Sequence, residues 1–111
     1  MAALTSTSAA IAGTAPAPVA VAASDTIAQG QFGAIGVHVR VINAGGSPDV
    51  VTITDPNLTI AGSAATNPTA TVSNGTTKVI FIPASMVNQA TGLATLAHSF
   101  ITTVTCEVWR V

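Results

Sequence analysis

Two histidines, four acidic residues and one cysteine make up nearly the whole stock of side chains able to move protons, bind metals or attack a substrate. Their spacing argues against each of these roles. His38 alternates with Val37 and Val39, which places it on the polar face of a strand beside Arg40. His98 follows Leu96-Ala97 at the end of another strand, next to Ser99. Neither has a second ligand at the short spacing of a metal site, so both read as exposed or hydrogen-bonded strand histidines. Asp25, Asp49, Asp55 and Glu107 are scattered. The three aspartates flank turns, where a short carboxylate bonds backbone amides. Asp55-Pro56-Asn57 is a fragment of a calcium loop and lacks the alternating acids such a loop needs. Paired carboxylates for acid and base work would have to meet through the fold, and nothing local predicts it.

Cys106 shares the phase of Val104 and Val108, which makes it a core residue rather than a nucleophile. As the only cysteine it forms no internal disulfide and no cysteine-based zinc site. Gly30, Gly33 and Gly36 precede neither a helix nor a lysine, so they do not form a phosphate loop. Asn57-Leu58-Thr59 and Asn74-Gly75-Thr76 match the glycosylation pattern, as chance allows in a threonine-rich chain. These residues predict no catalytic, cofactor or metal site. Trp109 is the large aromatic handle. Its alternation with Thr105 and Glu107 assigns it to an outer face, either capping the core or anchoring a partner. Trp109, with Val19 and Val21, forms the candidate interface set.

The elements that would position these residues are short strands. Val37–Val41 alternates apolar and polar residues, Ala44–Pro48 breaks the pattern, and Asp49–Thr54 resumes it, which predicts a hairpin. Ala70–Ser73, Asn74-Gly75 and Lys78–Ile82 predict a second hairpin. The unbroken apolar run in its second strand implies burial on both faces. One helical turn is expected over 84–88, a strand over Leu93–His98, and a long last strand over Thr102–Val111. No window carries a capped helical period, and no internal repeat is seen. Seven or eight short strands predict a single all-β domain over 19–111, a β-sandwich of Ig-like or jelly-roll type. Residues 1–18 are uncharged and rich in Ala, Thr, Ser and Pro. They predict an extended N-terminal arm lying along another surface. Val19–Ala23 is apolar, but no basic residue precedes it, so a secretion leader is not expected.

Charge limits the partners. Only 6% of the 111 residues are charged, against roughly 25% in ordinary domains. Three basic residues cannot neutralise many phosphates, so no nucleic-acid partner is expected. No stretch has the roughly 20 apolar residues of a membrane-spanning helix. A net charge of −1 leaves copies with little mutual repulsion, which favours association.

Several segments together carry a family resemblance. They are Ser24-Asp25-Thr26-Ile27, Val37–Val41 with the turn Asn43-Ala44-Gly45-Gly46, and Asp49 to Pro56 with Asn67-Pro68 downstream. The series closes through His98-Ser99-Phe100 to Val104–Val108. In texture and order, over residues 19–111, the chain resembles decoration or minor capsid proteins of tailed bacteriophages, particularly those of actinobacteria. The resemblance implies a non-enzymatic virion protein on the head surface. It would be a homo-oligomer, a trimer favoured, clamping neighbouring subunits of the major capsid protein. The composition also suits a tail or fibre domain, or an Ig-like adhesion or carbohydrate-binding module.

Overall fold

A computed structural model describes residues 2–111. Ten strands build two sheets. In chain order they are β1 (Ala2–Leu4), β2 (Ser6–Thr7), β3 (Val19–Ala20), β4 (Ser24–Ala28), β5 (Gly36–Asn43), β6 (Asp49–Ile53), β7 (Thr69–Val72), β8 (Thr76–Pro83), β9 (Leu93–His98) and β10 (Val104–Arg110). Single 3₁₀ turns at Gln29–Gln31 and Ala84–Met86 are the helical elements. One sheet runs β1-β4-β9-β6-β7. The other runs β2-β10-β5-β8, with β3 beside β2 along the same edge of β10.

The period-2 pattern decides how the sheets meet. Ile27, Val51, Ile53, Ala94 and Leu96 of the first sheet face Val37, Val39, Val41, Ile82, Val104, Cys106 and Val108 of the second. Burying these faces together is the main drive to fold, at roughly 25 cal/mol per Å² of apolar surface. The fold is thus an all-β sandwich, as the alternation predicts.

Three expectations fail. Val37–Val41 and Asp49–Thr54 are not hairpin partners, because β5 lies in one sheet and β6 in the other. The same holds for β7 and β8, which flank Asn74-Gly75. Both turns reverse the chain across the core. A turn signal specifies the reversal, but not whether the two strands lie side by side or face to face. Asn43 fixes the first crossing. Buried at the end of β5, its Nδ2 donates to the carbonyls of Ser47 (2.8 Å) and Val72 (3.0 Å), and its Oδ1 accepts from the Gly45 amide (3.0 Å). Gly45 packs so closely that a β-carbon would stand 2.4 Å from the Phe100 ring and from the Thr102 carbonyl oxygen. Gly45→Ala is expected to cost about 1–3 kcal/mol through this overpacking, read as a lower urea midpoint at unchanged slope.

Strand β8 is buried on one face only. Val79 is 60% exposed and Phe81 46% exposed, because β8 is an edge strand whose outward side chains meet no second layer.

The N-terminal segment is the third departure. Ala2–Leu4 pairs in parallel with β4, Leu4 opposite Ile27, and Leu4 enters the core. Ser6–Thr7 pairs in parallel with Val108-Trp109 of β10. Residues 2–7 therefore belong to both sheets of this chain and close one side of the sandwich, so the arm does not begin outside the domain. Only residues 8–18 stand off the sheets, without strand structure and nearly all exposed. Met1 lies outside the described residues.

Candidate functional site

The fold gathers the scattered acids and one histidine. Asp25 (β4), Asp49 (β6) and His98 (β9) all point into the sandwich from the inner face of the first sheet. Pairing sets their geometry: Val51 lies opposite His98, and Leu96 lies opposite Asp25. Each acid is thus diagonal to the ring. His98 Nδ1 and Asp49 Oδ2 share a hydrogen bond of 2.6 Å, and His98 Nε2 lies 3.6 Å from Asp25 Oδ2. All three side chains are completely buried. Asp49 Oδ1 also accepts from the Phe100 amide (3.3 Å), and the Asp25 carboxylate accepts from the Ala22 amide.

Of the two readings of His98, exposed or hydrogen-bonded, the structure shows the second, and the node corrects the reading of Asp49 as a local turn acid. Asp55 does behave as a turn acid: its Oδ1 accepts from the Asn57 amide and side chain, both at 2.9 Å. A histidine bracketed by two carboxylates resembles a proton-relay arrangement, but a substrate has no access to it. Its chemistry is cohesive, since burying a carboxylate is tolerated only against a donor. No group of three or more ligating side chains able to hold a metal ion occurs among the described residues.

Cys106 faces this node from the opposite sheet and is fully buried, as its phase predicts. Burial, and then the charges of Asp25 and Glu107, push its thiol from the ordinary 9.0 up to about 12. A thiol raised this way favours the folded state below about pH 9, and that contribution is lost as pH climbs toward 12. Cys106→Ala is expected to flatten the alkaline limb of the stability–pH curve over that interval. The wild-type thiol should react with a disulfide reagent only when denaturant opens the fold.

The outer face of the second sheet, unlike the buried node, is open to solvent at His38, Val79 and Phe81. Register places Trp109, His38 and Phe81 in one row across β10, β5 and β8. Glu107, Arg40 and Val79 form the adjacent row. Trp109 is half-buried on this face, in the phase its neighbours predict, and Thr7 lies beside it. His38 is exposed and meets Phe81 edge to face, at 5.6 Å and 78°. Arg40 Nη1 bonds Glu107 Oε1 at 2.6 Å. The other oxygen, Oε2, is buried without a protein partner. Of the remaining candidates, Val19 is exposed on β3, whereas Val21 is buried in the core of its own chain and is not displayed.

Two loops present isoleucine to solvent in the same way, and the reading of the sequence as free of repeats missed them. Ala10-Ile11-Ala12-Gly13-Thr14-Ala15 and Thr59-Ile60-Ala61-Gly62-Ser63-Ala64 share an Ile-Ala-Gly turn. In each, the glycine amide bonds the carbonyl three residues back at 2.9 Å, and the glycine holds a positive φ, +95° and +86°. Ile11 and Ile60 are both fully exposed. The signal was the tripeptide, too short to register at the scale of a domain repeat.

No helix among the described residues is long and apolar enough to cross a membrane. Comparison with family models, with characterised proteins and with solved structures finds no match to this chain.

Proposed function

We propose that this chain is a structural virion protein of the capsid-decoration kind. It binds the outside of a tailed-phage head and bridges neighbouring major capsid subunits, as a homo-oligomer with three copies favoured. The supporting observation is the outer face of the second sheet. Trp109, Phe81 and Val79 sit there in two adjacent rows, with a single ion pair between Arg40 and Glu107. Exposed apolar side chains gathered on one face favour an interaction site, and Trp and Arg are among the residues most enriched at interface hot spots. A surface so poor in charge loses little by being desolvated against a neighbour. Repeated engagement across a shell then multiplies individually weak contacts.

Catalysis is the poorer reading, because the residues fit for it, Asp25, Asp49, His98 and Cys106, are sealed in the core. An exposed aromatic row also fits a carbohydrate-binding module. Such modules favour several aromatic platforms, and aromatics make up only 4% of this chain, so this reading ranks second. Co-sedimentation of the purified chain with phage heads that lack it tests the proposal. Saturable binding at a fixed copy number is expected, and a chain that stays in the supernatant contradicts it.

A further inference from the structure

One edge of β10 is shared by two short strands, and they leave a gap between them. Thr105 and Cys106 lie opposite Ala20 and Val19 of β3, while Val108 and Trp109 lie opposite Ser6 and Thr7 of β2. Glu107 stands between, and neither strand gives it a partner on that edge. A cavity of about 270 Å³ lies at the gap. Leu4, Cys106 and Glu107 belong to its buried lining, and Thr5, Thr7 and Val19 to its exposed rim. Arg40 lies opposite Glu107 on the other flank of β10, where Oε1 accepts the 2.6 Å bond. Oε2 is left over, buried and with no donor. An unmet carboxylate oxygen carries the full cost of its desolvation.

We propose that this cavity binds a primary alkylammonium group, the ammonium donating to Glu107 Oε2 and the alkyl stem lying along the apolar lining. The chemistry is that of a lysine side chain or of a free aliphatic amine. Charge selects the head. Among the described residues that line the cavity, Glu107 alone is charged, and it is an acid. Cys106 beside it senses a negative surrounding: after burial, the charges of Asp25 and Glu107 are what hold its thiol up at about 12. The same field favours a cation and disfavours an anion. The Arg40 guanidinium offsets part of it, but that side chain is 42% exposed, screened by water, and bonded to Oε1 alone. The lining selects the stem. Leu4, Val19 and Val108 with threonines at the mouth suit an aliphatic chain that carries one donor head. Rotation about the last torsion of Glu107, which is soft, turns Oε2 toward an incoming donor. The site does not depend on the virion reading, and its failure would leave head binding untouched.

Titration of the full, isotope-labelled chain with n-butylammonium chloride near neutral pH, followed by amide NMR shifts, tests the site. Saturable shifts are expected around residues 3–7, 17–19 and 106–108, with a Kd on the order of 1 mM for so small a ligand. Sodium chloride at equal concentration should produce none of them. n-Butanol keeps the stem and a neutral donor and should bind at least about tenfold more weakly. Butyrate should not bind. Glu107→Gln keeps the shape, removes the charge and should weaken the ammonium at least about tenfold. If thermal melting shows that this variant does not fold, Val19→Trp, which narrows the exposed rim and leaves Glu107 intact, is expected to give the same loss. Nα-acetyl-lysine methylamide separates the two sources. Binding like that of butylammonium assigns the site to a lysine side chain of a partner, and exclusion assigns it to a free amine. Absence of saturation, equal binding of n-butanol, or an ammonium affinity unchanged by the folded variant would overturn the inference and leave water as the partner of Oε2.

Discussion

His98→Ala is expected to remove about 3–5 kcal/mol of folding stability, because it leaves the buried carboxylate of Asp49 without its 2.6 Å partner. Against a total of about 5–15 kcal/mol for a domain of this kind, that loss approaches unfolding at 37 °C. The mechanism sets a pattern as well as a size. Asp49→Ala should be costly too, since it removes the acceptor of both the ring and the Phe100 amide. The double variant should cost less than the sum of the two, by about 0.5–3 kcal/mol, because the second truncation removes a group the first had already orphaned. Chemical denaturation of the four proteins measures the cycle. Strict additivity would mean that the contact contributes nothing beyond its packing.

The second large effect lies on the surface. Trp109→Ala is expected to weaken binding to a phage head by about 30-fold or more, the scale of a hot-spot truncation. The fold should survive it, since the ring lies on the outer face of β10 and not among the core side chains. Phe81→Ala should act in the same direction, through the same row of the sheet. His38→Ala removes the edge that packs against Phe81 and should show a smaller loss. Unfolding by Trp109→Ala would instead make the tryptophan a cap on the core, and the row would lose its standing as a docking face.

The strands themselves were legible in the sequence, and the reason is period. Val37–Val41 and Val104–Val108 alternate cleanly, so their inward residues, Cys106 included, follow from phase alone. The outward phase of Trp109 follows in the same way. Which strand pairs with which was not legible. Asn74-Gly75 permits a tight reversal, and Gly75 does adopt a φ of +75°, but here the turn links strands of opposite sheets. Long-range pairing also hid the Asp25–His98–Asp49 node, whose members are separated by 24 and 49 positions and meet only once β4, β9 and β6 lie side by side. The N-terminal segment misled for a related reason. Ala-Thr-Ser composition has weak strand preference, and Ala2–Leu4 and Ser6–Thr7 become strands because β4 and β10 offer open edges to pair with. The apolar run of β8 shows the limit of hydropathy taken alone. It indicates that a strand seeks apolar contact on both faces, not that its own chain supplies it.

That unmet face is what the proposed function rests on. A sandwich that spends its inner residues on one core, locks one end with a buried Asp–His–Asp contact, and leaves Phe81, Val79 and half of Trp109 outside has the face that the proposed function would cover with a neighbour. Cryo-electron microscopy of tailed-phage heads assembled with this chain tests that most directly. The expected result is density for a body of about 41 × 35 × 20 Å on the outer shell, at fixed positions, with the Trp109–His38–Phe81 row against a capsid subunit. Heads that carry no such density, beside a chain that stays free in solution, would contradict it.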